Sequence, residues 1–180
     1  MMSPTIPARI ERPSTRHFKH HRMIIVKNLY NDGWLNSHFH EILQLQDADN
    51  PAFVREILSL YVSDSRRLIN LMNRPLGMDT VNYKEISVHV RGLLGSSLDI
   101  GAEGISKACL RLFNGTKAEN KEETVLALKQ LTSEFNKMKP KLEHLVQMER
   151  LILQSVLYRG WNDGHESSQI GCETKRSREA

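Results

Sequence analysis

Aromatic residues are scarce, at 6% of the 180-residue chain, and no stretch approaches the roughly 18 uninterrupted apolar residues that a membrane span requires. The first shortage, with few strand-like runs, points away from a sheet and toward helix. The second leads us to expect a soluble protein with no membrane partner. Cysteine is limited to Cys109, inside a helical pattern, and Cys172, in a polar stretch; neither has metal-ligand spacing or belongs to a disulfide framework, which suits a reducing cytosolic or nuclear home. There is no glycine loop to cradle phosphate, no zinc spacing, and no paired nucleophile and base, so an ordinary hydrolase or metal enzyme has no sequence support and neither cofactor nor metal is expected.

With 39% hydrophobic and 26% charged residues, the composition suits one globular domain with loose ends. The net charge of +4 hints at nucleic acid until it is located. It equals the excess of Arg9, Arg12, Arg16, Lys19 and Arg22 over Glu11 in residues 1–22. The rest is neutral overall, and no nucleic-acid partner is expected. That basic leader, broken by Pro4, Pro7 and Pro13, reads as a disordered tail. It lacks the long apolar core of a secretory signal.

From Met23, an apolar segment through Tyr30 reads as a short first helix, stopped at Asp32 and Gly33. A second helix spans Trp34 to Gln46, with Leu35, Phe39, Ile42 and Leu43 at helical intervals. Asp49 or Asn50 is the expected N-cap of a third, with Pro51 in its first turn and Pro75 and Gly77 ending it. A fourth runs from about Asn82 to Leu98, and a fifth from Ala102 to Phe113, with Asn114 and Gly115 as its stop. The sixth, from Lys121 to about Tyr158, should kink at Pro140, where a helical hydrogen bond is lost. Residues 159–180 read as a disordered polar tail. The domain is therefore 23–158, an all-α helix bundle.

At 100° per residue, Ile86, Val90, Leu93 and Ser97 form the buried stripe of the fourth helix. Arg91 lies about 130° from its centre and faces outward, with Ser87, Leu94, Gly95 and Leu98 as neighbours. Two leucines and a glycine around one cation make a small apolar platform that reads as a docking surface. The plainer alternative is that Leu94 packs beside a neighbouring helix.

The stretch Tyr83-Lys84, His89-Val90, Gly95-Ser96-Ser97, Ile100-Gly101-Ala102 and Ala108-Cys109 resembles the plant histidine-containing phosphotransfer proteins. The likeness extends upstream through Leu45-Gln46-Asp47, Asn50-Pro51, Phe53-Val54, Leu60-Tyr61 and Asp64-Ser65, and covers about residues 23–155. It implies an antiparallel four-helix bundle with two additional N-terminal helices. It also implies a monomer that meets the receiver domains of hybrid sensor kinases and response regulators, in the cytoplasm and nucleus, in cytokinin signalling. In that family the active helix reads His-Val-His-Gln-Leu-Lys-Gly-Ser-Ser, the second histidine accepting phosphate. Here it reads His89-Val90-Arg91-Gly92-Leu93-Leu94-Gly95-Ser96-Ser97. Alignment puts Arg91 at the acceptor position, Gly92 in place of glutamine and Leu94 in place of lysine. The resemblance therefore implies a pseudo-phosphotransfer protein with no catalytic residue.

The relay needs a neutral imidazole nitrogen, available because the histidine pKa is about 6.5. A guanidinium stays protonated and has only donors. A lysine one turn on would offset phosphate charge, and Leu94 carries none. Docking could outlive transfer, since Gly95 leaves room over the helix. His89, the fallback acceptor, projects some 200° from Arg91 and reads as a hydrogen-bonded histidine at the core edge. His38, His40 and His144 read as surface or packing residues. Besides the pseudo-adaptor, two alternatives stay open: an active mediator using His89, and a non-catalytic scaffold or decayed gene product. Met23, near where the family usually begins, is a candidate start.

Overall fold

The computed structural model describes the backbone of residues 14–78 and 80–176, and side chains as far as residue 158. Six helices and no strand occur among these residues: α1 (Thr15–Asn31), α2 (Ser37–Gln44), α3 (Phe53–Leu76), α4 (Tyr83–Ile100), α5 (Glu103–Lys117) and α6 (Lys121–Arg176). None of the described helices is long and apolar enough to cross a membrane.

The last four close into a ring, α3 and α5 each packing against both α4 and α6. Short connections make successive members antiparallel. On α3 and α4 the pairing shows it directly: Tyr61 meets Ser97, while Leu68, later on α3, lies beside Gly92, earlier on α4. Leu58 and Met72 of α3, Ile86 and Leu93 of α4, Ile105 and Leu112 of α5, and Leu131 and Leu142 of α6 are fully buried between them. Their burial is the main favourable contribution to the fold.

α1 lies against α6, outside the ring, and α2 against α4. The helical start is earlier than the sequence suggests, at Thr15 instead of near Met23. Ser14 supplies the reason, its hydroxyl accepting from the His17 N–H at 3.3 Å as an N-cap. Residues 15–22, assigned to the basic leader, are thus helical; residues 1–13 lie outside the described residues. At the other end, α6 passes Pro140 and continues to Arg176, where a polar tail was expected from residue 159; residues 177–180 are not described.

Between α1 and α2 the chain turns at Gly33, whose φ of +73° favours glycine. Leu35 and Ala102 form an isolated antiparallel bridge, with Asn36 N–H donating to Gly101 O at 2.9 Å and Glu103 N–H to Trp34 O at 3.1 Å. The Asn36 side chain then caps α2 by accepting from His38 N–H at 3.0 Å. α2 consequently begins at Ser37, not Trp34.

Two helix signals in the sequence are overridden. α3 starts at Phe53 with no side-chain cap at Ala52. Asp47 instead holds the preceding turn by accepting from Asp49 and Asn50 N–H at 3.0 and 2.8 Å, and Gln46 Oε1 accepts from Val54 N–H at 3.0 Å. α5 runs through Asn114 and Gly115 to Lys117. Gly115 serves the crossing with α6: a Cβ there would stand 3.3 Å from the Thr124 nitrogen.

Candidate functional site

α4 presents the site, and both of its ends are fixed by local chemistry. Asn82 Oδ1 accepts from Glu85 N–H at 3.1 Å and its Nδ2 donates back to the Glu85 carboxylate at 3.2 Å, a reciprocal cap. At the far end Gly101 adopts φ +76° and its N–H returns to Leu98 O. The buried stripe is the one the periodicity predicts, Ile86, Val90, Leu93 and Ser97, and Ile100 at its margin is buried with them. Ser97 meets the Tyr61 hydroxyl at 2.9 Å inside the core, and burial pushes the Tyr61 phenol up to about 12.

Opposite the stripe, Arg91 is exposed. Its Nε donates to Ser87 O, one turn back, at 3.3 Å, which lays the stem along the helix and leaves the terminal nitrogens facing outward. Among the described residues no carboxylate pairs with it. Gly95 has open space above it, and Leu98 is 51% exposed. Val88, 56% exposed, belongs to the same face. The sequence reading omitted it although it stands three residues before Arg91, a spacing that would have found it.

The other two predicted members of the platform are less open. Leu94 is half-buried and packs against the core, as the plainer reading had it. Ser87 is half-buried and donates its hydroxyl to Thr116 Oγ1 at 2.8 Å, so it braces α4 to α5 and does not offer a hydroxyl to a partner. Thr116 in turn donates to Phe113 O at 2.7 Å, and Lys117 Nζ stands 4.6 Å over the Phe113 ring. The exposed surface is thus Val88, Arg91, Gly95 and Leu98, with Leu94 at its margin.

His89 lies on the α3 side of α4, between Glu85 and Gly92, and is half-buried. The expected hydrogen bond is not there: its ring has no such partner among the described residues. His38 and His40 are exposed on α2, His38 Nδ1 lying 3.1 Å from the Glu41 carboxylate. His144 is exposed on α6 and meets the His21 ring edge-on at 5.9 Å. The outward group of the site therefore carries only N–H donors and no lone pair. It can bind anions and carboxylates but cannot attack phosphorus.

The described residues thus define the class as an all-α bundle of four antiparallel helices that carries an exposed cation, Arg91, on its second member. Histidine-containing phosphotransfer protein 1 of Arabidopsis thaliana is 35% identical over 129 residues, covering 72% of this chain and 84% of the relative. Pseudo histidine-containing phosphotransfer protein 6 of the same plant is 28% identical over 137 residues, covering 74% and 89%. The crystal structure of a histidine-containing phosphotransfer protein from Medicago truncatula superposes with a TM-score of 0.69 at 30% identity, covering 77% of this chain and 95% of that one. No family model matches. The chain belongs to the histidine-containing phosphotransfer family of two-component phosphorelays.

Proposed function

We propose that this protein is a pseudo-phosphotransfer adaptor. It docks on receiver domains of hybrid sensor kinases and response regulators through the outer face of α4, accepts no phosphate, and thereby dampens a cytokinin-type phosphorelay. The observation that carries this reading is Arg91: an exposed guanidinium without a carboxylate partner among the described residues, at the position where the sequence resemblance implies the acceptor histidine. Its open donors suit the acidic pocket of a receiver, and the apolar residues around it, with the gap over Gly95, suit close approach of a partner helix. The name of the pseudo-type relative from Arabidopsis is consistent with such a role. We place the protein in cytoplasm and nucleus, acting as a monomer.

The test is to incubate the purified chain with a phosphorylated receiver domain and measure acid-labile phosphate on each partner, then to titrate the same receiver for binding. The expected result is binding without labelling. Labelling that disappears in His89→Gln would instead establish an active mediator using that histidine, and absence of any receiver binding would leave a scaffold with other partners.

A further inference from the structure

α1 runs antiparallel to α6. Lys141 Nζ of α6 stands 5.6 Å from the centre of the Trp34 ring, just after α1 ends, whereas Arg22, nearer its start, meets Glu149. From Arg22 back to Thr15 is about 10 Å of helical rise, and the same rise onward from Glu149 reaches Val156. α1 therefore begins level with Val156, while α6 continues to Arg176, about 30 Å further.

Burial follows that limit. Met148, Glu149 and Ile152 lie at helical spacing on the face that α1 covers, and they are 8%, 3% and 5% exposed. Val156, next in the row, is 46% exposed and Leu157 beside it 65%. Thr15, the first residue of α1, is still buried, so the cover is complete up to where α1 starts. Beyond that level the apolar row outlasts its lid.

The charge on the continuation of α6 has one sign. Residues 160–174 contain Asp163, Glu166 and Glu173 and neither lysine nor arginine. The segment that leads into α1 has the opposite balance, Arg9 and Arg12 against Glu11, and it carries Ile6 and Ile10. It joins the bundle at Ser14, level with the uncovered row. Ser14 is extended, with φ −74° and ψ 157°, and Pro4, Pro7 and Pro13 favour extended backbone ahead of it. Residues 1–13 at full extension span about 45 Å, which exceeds the continuation they would follow. A second copy would set one acidic run against another. It would also compete with a segment tethered at the edge of the patch, whose local concentration is on the order of millimolar. Tether and charge both select the chain's own first residues.

We propose that residues 1–13 form a strap along the continuation of α6, with Pro13 and Ile10 over Val156 and Leu157 and with Arg9 and Arg12 beside the acidic stretch. The strap carries the α1–α6 contact past the end of the bundle. Because α3 and α5 separate α4 from α6 in the ring, the outer face of α4 stays clear of it.

Hydrogen exchange of the α6 amides from Leu157 to Ile170 reads the strap, since an uncovered helix end opens and exchanges fast. Exchange there should rise at least about tenfold when the chain is shortened to begin at Ser14, which keeps the cap of α1, and equally in Ile6→Asp/Ile10→Asp of the full chain. Arg9→Glu/Arg12→Glu should raise it by a smaller factor. Val156→Asp should speed exchange in the full chain and add little in the shortened one, whereas a residue that merely supports the helix would act alike in both. Protection in the full chain should not change on dilution. Exchange as fast in the full chain as in the shortened one, or indifference to Ile6→Asp/Ile10→Asp, overturns the strap. An equal effect of Val156→Asp in both chains overturns its seat, and indifference to Arg9→Glu/Arg12→Glu overturns the charge pairing. Protection that falls on dilution makes the cover a second copy and overturns the proposal.

Discussion

The Arg22 guanidinium and the Glu149 carboxylate meet at 2.9 Å across 127 positions of sequence, and they fasten α1 to α6. The Glu149 side chain is only 2% exposed, that of Arg22 16%. The other Glu149 oxygen accepts from Gln46 Nε2 at 3.0 Å, and Gln46 Oε1 in turn accepts from the start of α3. One buried carboxylate thus gathers α1, the segment after α2, the first turn of α3, and α6.

Removing one partner of such a pair leaves an uncompensated charge in the interior, which costs about 3 kcal/mol or more. Arg22→Met should therefore destabilise the protein by roughly that amount. Arg22→Met/Glu149→Leu should recover most of it, because no lone charge is then left buried. Urea midpoints of the wild type, both single variants and the double variant test this as a cycle. A double variant no more stable than Arg22→Met would show that the carboxylate is held chiefly by Gln46.

Stability should fall in alkali, in two overlapping stages. Burial raises the Cys109 thiol from 9.0 to about 12 and the Tyr61 phenol from 10.0 to about 12. In each case the folded state holds its proton after the unfolded chain has lost it. Stability is then full below the unfolded values and declines as pH rises through the folded ones. The decline begins near pH 9 with Cys109 and steepens past pH 10 with Tyr61. Cys109→Ala should remove the first stage and Tyr61→Phe the second, each lowering stability at neutral pH for packing or hydrogen-bond reasons. Denaturation midpoints across that range, with slopes unchanged in both variants, would contradict the assignment.

The glycine on α4 and the one that caps it should divide by geometry. At Gly101 φ is +76°, and a Cβ would lie 3.0 Å from the Phe39 nitrogen and 3.1 Å from the His38 Cβ. Backbone strain and the clash together make Gly101→Ala destabilising by about 2 to 4 kcal/mol. At Gly95 the space is open, and alanine should stabilise the helix by about 0.5 to 1 kcal/mol. Thermal midpoints moving the same way in both variants would refute the distinction. Gly95→Trp should fold as well as wild type yet lose receiver binding, since the ring would fill the gap a partner needs.

How much of this was legible in the sequence depended on whether its cause was local. The buried stripe of α4 and the outward place of Arg91 follow from helical period alone, and both stand where the period puts them. The start of α1 does not, because residues 15–22 pack and pair with a helix more than a hundred positions away, and in the sequence they look like more of a basic leader. Gly115 carries a stop signal, yet its service is to let Thr124 come close. Ser87 looks like an open hydroxyl until Thr116, on another helix, is found to hold it. Val88 is legible from local spacing alone, standing three residues before Arg91 on the same helical face and 56% exposed.

The chemistry at Arg91 should resist repair by one substitution. Arg91→His would restore a nucleophilic nitrogen on an exposed helix face, but the developing charge on a phosphoryl group would find no cation at position 94 and no amide at position 92. A Cβ at Gly92 would stand 3.8 Å from Leu68 Cδ1, ordinary contact, so glutamine fits there. Leu94 is half-buried, and a lysine in its place can lay its stem on the core and bring its ammonium out. The expected order of phosphoryl acceptance from a phosphorylated receiver is none for the wild type, slow for Arg91→His, and at least about tenfold faster for the triple variant Arg91→His/Gly92→Gln/Leu94→Lys, since one well-placed cation is worth that or more. Single-turnover labelling with the three proteins at equal receiver occupancy measures it. Wild-type labelling, or Arg91→His as fast as the triple variant, would mean that the face around Arg91 does not govern transfer.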